Sequence, residues 1–128
     1  DLSILCRELL KHPDTLRYTS TRERPFRPNV PGKTVMMRTH NHLLGHVEGC
    51  DGLKTGYITA SGFSIAVTAA RHGQRVIVVV LDSTTIKVRD AKAAELVAKG
   101  FAALPAAEPA PAPQASQPAA VPAARKQR

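Results

Sequence analysis

The sequence predicts an α+β domain in which a three-stranded antiparallel meander is covered by a C-terminal helix. Two tight connections at residues 59–62 and 71–74 separate three extended segments. A long helical pattern follows the third segment, and a helix in that position has a sheet face to cover. We assign residues 1–104 to this domain and residues 105–128, rich in alanine and proline, to a disordered linker or tail.

The chain begins in a helical pattern. Residues 1–11 are predicted to form an amphipathic helix because apolar residues recur at helical spacing, at Leu2, Leu5, Cys6, Leu9 and Leu10. A second short helix is expected from Pro13-Asp14, since proline suits the first helical positions. Because the chain starts inside a helix and not at a methionine, we expect further sequence upstream, including any signal peptide.

Prolines determine the conformation that is predicted for the next segment, residues 20–34. Three prolines exclude a helix from residues 20–34, so an irregular connection with one extended piece is predicted there. A short strand at residues 34–38 and a turn at residues 41–45 are expected to follow.

The remaining elements form the meander and its covering helix. Residues 53–58 are extended, and residues 63–70 alternate apolar with small or polar side chains. Residues 75–81 include six consecutive aliphatic residues, 76–81, which predicts burial on both faces. Ser83 or Thr84 is expected to cap the final helix, whose mostly apolar stripe consists of Ile86, Asp90, Ala93, Ala94, Val97 and Phe101.

The chain is basic, with a formal net charge of +8 and a mild cluster at Arg22, Arg24 and Arg27. Such a surface suits nucleic acid, an anionic membrane or an acidic polymer. Two tyrosines, three phenylalanines and no tryptophan provide no stacking platform for bases, so nucleic acid is not predicted as a partner. Cys6 and Cys50 form no metal-type pair, and two buried thiols are favoured over one disulfide.

Three histidines, His40, His42 and His46, precede Cys50 within a short stretch. His40 and His42 would share one strand face, but the spacing to His46 and Cys50 matches no common zinc module. Loop histidines are the favoured interpretation, and the sequence predicts neither a metal nor another cofactor.

The most informative stretch is residues 51–57, Asp-Gly-Leu-Lys-Thr-Gly-Tyr. Lys54 offers an ammonium with three donors, and a strand glycine such as Gly56 lets another backbone approach closely. With Thr55 they suit an extended peptide that adds alongside the strand and ends in a carboxylate. The backbone N–H of Tyr57 is a candidate oxyanion donor, and Asp51 is interpreted as supporting the start of the strand.

This stretch resembles a known family. A Lys-Thr-Gly triplet is one of three motifs of penicillin-binding proteins and class A β-lactamases. Here it is preceded by Asn41-x-Leu43-Leu44 and Asp51-Gly52 and followed by Gly62-Phe63. Residues 1–102 resemble the C-terminal half of the catalytic domain of serine D-alanyl-D-alanine carboxypeptidases, the low-molecular-mass penicillin-binding proteins. The resemblance implies part of a β-lactamase/transpeptidase-like fold.

The resemblance also implies roles for the site residues. Lys54 would shape the electrostatics of the site, Thr55 and Gly56 would bind the terminal carboxylate region of the substrate, and the Tyr57 amide would form half of an oxyanion hole. His40 is expected to contact the substrate, but less strongly than the arginine that the family often has there. The implied partners are peptidoglycan pentapeptides ending in D-Ala-D-Ala, with β-lactams as inhibitors. The implied location is the periplasm or cell envelope, and membrane association is left to segments outside the chain.

The chain lacks the other two motifs. None of its serines is followed three residues later by lysine or two residues later by asparagine. We therefore expect the parent protein to be a serine-type carboxypeptidase that trims peptidoglycan stem peptides, and this chain to be inactive alone. The alternative is a non-catalytic fragment that binds peptidoglycan or an anionic polymer. Without partner layers from upstream, we expect exposed apolar surface and association.

Overall fold

The computed structural model describes residues 1–105. In chain order the elements are α1 (Leu2–Leu10), α2 (Asp14–Thr19), β1 (Glu23–Phe26), β2 (Val35–Arg38), β3 (Cys50–Ile58), β4 (Gly62–Arg71), β5 (Gln74–Ser83) and α3 (Ile86–Ala103). The strands form a two-stranded hairpin, β1-β2, and a three-stranded antiparallel sheet in the order β3-β4-β5. The predicted α+β class and the meander covered by a C-terminal helix are confirmed. The predicted tail, residues 105–128, lies outside the described residues apart from Pro105.

The two N-terminal helices form where the sequence predicts them. Asp1 caps α1, because its carboxylate accepts hydrogen bonds from the N–H groups of Ser3 and Ile4. The Thr15 hydroxyl donates to the carbonyl of Leu9 at 2.7 Å and ties α2 to the end of α1. Only Cys6 of α1 is buried, so this helix presents an apolar face to solvent, formed by Leu2, Ile4, Leu5 and Leu9.

The segment predicted as an irregular connection contains a strand with a partner. Glu23–Phe26 pairs antiparallel with Val35–Arg38, and Phe26 lies opposite Val35. A strand containing Pro25 is tolerated because a two-stranded ladder leaves one side of each strand without a required N–H donor. The sequence-based prediction located the extended piece but not its pairing, which depends on contacts across the intervening loop.

The three-stranded sheet builds the core. Leu53 lies opposite Val67, and Val67 lies opposite Val78, so one face of the sheet carries a continuous apolar surface. Helix α3 covers this face with Ala93 and Val97, both fully buried. The core cluster is completed by Leu43, Ile65, Ala69, Val76 and Val80.

The prediction that the last strand is buried on both faces is wrong in part. Val76, Val78 and Val80 are buried against α3, whereas Ile77 and Val79 are half-buried and Leu81 is 58% exposed. The reason is the size of the second layer: α1 contacts β5 and α2 contacts β3, but two short helices cover the opposite face incompletely.

Helix α3 begins one or two residues later than predicted. Thr85 is its N-cap, and the Thr85 hydroxyl accepts a hydrogen bond from the Val88 N–H at 3.1 Å. The buried stripe also differs in register, since Arg89, Ala93 and Val97 are buried whereas Ile86 is 40% exposed. Of the helices formed by residues 1–105, none has the length and apolar character needed to cross a bilayer.

Candidate active site

The Lys-Thr-Gly triplet lies on β3, which is an edge strand of the three-stranded sheet. A cleft of about 510 Å³ opens beside it. The cleft gathers every site residue predicted from the sequence together with residues from β4 and α3, and its lining consists of His40, His42, Lys54, Thr55, Gly56, Tyr57, Phe63, Ile86 and Arg89. An edge strand next to a cleft can accept another extended chain by strand addition.

The alternation of β3 distributes the triplet over two faces. Thr55 lies opposite Ile65, a residue of the core face covered by α3, whereas Lys54 lies opposite Ala66 on the other face. The Lys54 ammonium nevertheless donates to the backbone carbonyl of the next residue, Thr55, at 2.5 Å. Both residues line the same cleft, because β3 is at the sheet edge.

Gly56 is not required by the packing of the described residues. A Cβ atom added at Gly56 would meet no atom within 4 Å, and its φ is not in the left-handed region. Gly52, four residues earlier on the same strand, differs: a Cβ there would lie 2.6 Å from the Thr19 hydroxyl oxygen. Gly56 also lines the cleft, so a ligand backbone could lie against the strand at this position.

Arg89 is the residue of this site that the sequence analysis did not include. It belongs to the first turns of α3, and its side chain is 3% exposed. Its guanidinium pairs with the Asp90 carboxylate at 2.7 Å, and it donates from Nη2 to the carbonyl of His40 at 3.3 Å. Asp90 in turn contacts His42 Nδ1 at 3.0 Å. This network connects α3 to the turn that precedes β3.

One nitrogen of Arg89 has no hydrogen-bond partner among the described residues. Nη1 has no acceptor among residues 1–105, while no fully buried side-chain nitrogen or oxygen in that range lacks a partner. Nη1 is therefore not a fully buried atom, and Arg89 lines this cleft. The sequence signal was available: Arg89 lies three residues after Ile86 and four before Ala93, within the apolar stripe, where an unpaired charge is rarely buried.

His40 is held beside β3 by its neighbour Asn41. The buried Asn41 amide donates to the Gly52 carbonyl at 3.3 Å and accepts from the Leu43 N–H at 3.1 Å. This arrangement fixes the turn on the start of β3 and leaves the His40 side chain exposed at the cleft. His40 also supplies the carbonyl that receives Arg89.

Tyr57 and Phe63 form the far wall of the cleft. Their rings stack with centroids 4.4 Å apart, and the two residues are paired across β3 and β4. The ring of Tyr57 is largely exposed, so the strand end carries an apolar surface next to Gly56.

Side chains from the neighbouring strands hold the start of β3 in place through hydrogen bonds. Asp51 accepts a 2.8 Å hydrogen bond from Arg75, which also donates to Thr68 at 2.7 Å. Asp51 is thus engaged in an ion pair that spans the sheet, in agreement with a supporting role.

Cys50 and Cys6 are free thiols, and burial raises the pKa of both. Both thiols therefore stay protonated at neutral pH.

The meander with its covering helix and the Lys-Thr-Gly edge strand define a penicillin-binding-protein or transpeptidase type of fold. The family model of D-alanyl-D-alanine carboxypeptidases matches residues 1–85, which is more than half of the chain. The chain belongs to the D-alanyl-D-alanine carboxypeptidase family.

Individual relatives agree with this assignment. The chain is 32% identical over 101 residues to D-alanyl-D-alanine carboxypeptidase DacF of Bacillus subtilis, covering 79% of this chain and 26% of that protein. Penicillin-binding protein D2 of Listeria monocytogenes in its ampicillin-bound form superposes with a TM-score of 0.60 and 35% identity over 73% of this chain and 36% of the other. The Streptomyces K15 DD-transpeptidase gives a TM-score of 0.64 and 27% identity over 73% and 37%. The chain thus spans about a quarter to somewhat over a third of these relatives.

Proposed function

We propose that this chain supplies the Lys-Thr-Gly wall of the active site of a serine-type D-Ala-D-Ala carboxypeptidase that trims peptidoglycan stem peptides in the cell envelope. The observation that carries the proposal is Gly56, which no contact among residues 1–105 requires and which leaves the edge of β3 open to a ligand backbone. Membership of the carboxypeptidase family supports the reaction class.

In this proposal an extended peptide adds along β3 and ends beside Thr55. The Thr55 hydroxyl and the free nitrogen of Arg89 bind the terminal carboxylate, because a guanidinium makes stronger hydrogen bonds to an anion than a neutral group does. Arg89 thereby compensates for His40, which stands where the family often has arginine. The Tyr57 N–H donates to the developing oxyanion, and the Lys54 ammonium raises the positive potential of the cleft.

The nucleophile is proposed to come from outside these 128 residues. No serine of the chain is followed three residues later by lysine, so the acyl-enzyme step has no candidate here, and we expect no turnover by the chain alone. Residues 1–104 are proposed to form the C-terminal portion of the catalytic domain, and residues 105–128 a linker or tail. The comparisons do not favour the alternative of a non-catalytic polymer-binding fragment.

β-Lactams are the proposed inhibitors of the parent protein. Penicillin-binding protein D2 has been crystallised in ampicillin-bound and cefotaxime-bound forms, and this chain resembles it over the segment that contains the cleft. A β-lactam carries a carboxylate that could occupy the position beside Thr55 and Arg89.

Replacing Gly56 by alanine separates binding from folding. We expect Gly56→Ala to keep the free energy of unfolding within about 0.5 kcal/mol, because the added Cβ meets no atom. We expect it to weaken binding of N-acetyl-D-Ala-D-Ala at least about fivefold, because the methyl group occupies the ligand's space. Urea denaturation measures the first quantity, and NMR titration of the isotope-labelled 128-residue chain measures the second.

The matched probe is the same dipeptide with an amidated C-terminus, which lacks the carboxylate. The proposal predicts that shifts at residues 54–57 are induced by the free acid and are much weaker with the amide. Equal binding of both probes, or undiminished binding by Gly56→Ala, would show that this strand does not bind the carboxylate terminus of a peptide. A steady-state release of D-alanine by the chain alone would contradict the proposed absence of a nucleophile.

A further inference from the structure

A second cleft of about 830 Å³ lies between the β1-β2 hairpin and the turn that precedes β3. We call it the basic cleft, after the four basic residues that line it: Arg22, Arg38, His42 and His46. His42 also lines the candidate active site, so the two clefts are adjacent. No residue of the Lys-Thr-Gly triplet lines the basic cleft, and none of the roles discussed above accounts for Arg22 or Arg38.

The charge of this cleft is unbalanced. Its lining includes one carboxylate, Glu23, which forms an exposed ion pair with Arg38 at 3.4 Å. Arg22 has no carboxylate within 4 Å among residues 1–105. Asp90, which faces His42 from α3, belongs to the Arg89 network of the neighbouring site. The cleft therefore keeps an uncompensated guanidinium.

The position of Arg22 is fixed by the backbone around it. Its carbonyl accepts a 2.8 Å hydrogen bond from the Thr39 N–H at the base of the hairpin. Its guanidinium lies over Gly45, where an added Cβ would be 2.7 Å from the Arg22 Cζ and Nη1 atoms. Gly45 has a φ of +79°, a conformation that favours glycine. The glycine thus permits both the turn and the close approach of the guanidinium.

We propose that the basic cleft binds the side-chain carboxylates of an acidic peptide. Guanidinium groups bind carboxylates through paired, charge-assisted hydrogen bonds. Arg22 and Arg38 both line the cleft, and the only carboxylate partner of Arg38 among residues 1–105 is the exposed Glu23, so the two arginines suit a ligand with two carboxylates. That one peptidoglycan peptide reaches both clefts rests on the proposed function. The binding of an acidic peptide to the basic cleft does not, because this cleft needs neither Thr55 nor a free C-terminus.

The test uses N-acetyl-Glu-Gly-Glu-amide, which has two side-chain carboxylates and no terminal carboxylate, and NMR titration of the labelled 128-residue chain. We expect shifts at the amides of Thr39 and Gly45 and weaker binding as the salt concentration rises from 50 to 300 mM. Arg22→Gln is expected to weaken binding about tenfold, since a charge-assisted hydrogen bond is lost. Arg22 is exposed, so this substitution leaves the core intact.

Three comparisons make the result specific. Arg24→Gln removes the same charge from an exposed position of β1 that does not line the cleft, and we expect less than a twofold effect. Lys54→Gln is also expected to leave binding unchanged, which separates this result from the proposed carboxypeptidase site. The proposal is overturned if the wild-type chain does not bind, if N-acetyl-Gln-Gly-Gln-amide binds equally well, or if Arg24→Gln weakens binding as much as Arg22→Gln does.

Discussion

At the scale of single residues, Arg89 shows how a buried charge is made tolerable. Taking a guanidinium out of water is costly unless it is paired and hydrogen-bonded. Asp90 and the His40 carbonyl meet that requirement, and Nη1 has no acceptor among residues 1–105. The sequence analysis assigned the weak carboxylate contact to His40. The geometry adds a permanent cation from a different element to the same place.

Arg89→Gln tests this assignment. We expect it to weaken binding of N-acetyl-D-Ala-D-Ala by roughly tenfold or more, because a charge-assisted hydrogen bond to the carboxylate is lost. We also expect a cost of about 1–3 kcal/mol in unfolding free energy, because Asp90 then keeps only His42 as a partner. NMR titration and urea denaturation provide the two measurements.

Lys92→Gln is the matched control for Arg89→Gln, since it removes one positive charge from an exposed position of the same helix. We expect this variant to bind the dipeptide like the wild-type chain. If both variants lose affinity equally, the effect is a general loss of positive potential and Arg89 has no specific contact.

The two thiols make a prediction about pH. Burial raises the pKa of Cys50 and of Cys6, so the folded state favours the protonated thiols. Their contribution to stability is fully present below the ordinary thiol value of 9.0 and is lost as the pH rises through the higher folded-state pKa. At pH 8.5 we expect iodoacetamide to alkylate both cysteines much more slowly in the native chain than in 8 M urea, as measured by mass spectrometry. Equal rates would contradict the burial of the thiols.

At the scale of elements, helix α3 has two tasks. Ala93 and Val97 close the core. The first turns of the helix place Arg89 and Ile86 in the lining of the cleft beside the Lys-Thr-Gly strand. The N-terminal start of α3 therefore sets the position of the arginine. The sequence predicted the helix, but three neighbouring residues, Ser83, Thr84 and Thr85, all have the side chain of an N-cap. The choice among them depends on which one the end of β5 leaves in an extended conformation.

Thr85→Ala and Thr84→Ala distinguish the cap from its neighbour. We expect Thr85→Ala to lower the unfolding free energy by about 1 kcal/mol, because the Val88 N–H loses its acceptor. Thr84 is exposed and makes no side-chain hydrogen bond among the described residues, so Thr84→Ala should change stability by less than about 0.5 kcal/mol. Urea denaturation followed by circular dichroism measures both, and the reverse order would place the cap at Thr84.

At the scale of the whole molecule, apolar side chains are exposed on several elements, including α1 and β2. Helix α1 exposes Ile4 and Leu5 at 59% and 62%, and β2 exposes Met36 and Met37 at 51% and 57%. Large exposed apolar surfaces mark interaction surfaces or sites of self-association. We therefore keep the expectation, made from the sequence, that the isolated chain associates.

Leu5→Lys tests this expectation. We expect it to shift the chain towards monomer, because the substitution places a charge in the centre of the α1 face, whereas Val88→Lys makes the same change at an exposed position of α3 outside that face. Sedimentation velocity at several protein concentrations measures the distribution. A wild-type chain that stays monomeric throughout the micromolar range would contradict the expectation.

Local patterns in the sequence determined the class of the fold, the two N-terminal helices, the meander and the triplet at residues 54–56, because helical and strand periodicities and turn residues act over short distances. The predicted site residues come together because His40 lies on the turn directly before the strand that carries the others. The pairing of β1 with β2, the exposure of Leu81 and the entry of Arg89 into the cleft were decided by tertiary structure. Each of them depends on which elements cover which face, and such contacts join residues that are distant in the chain and leave no periodic signal in it.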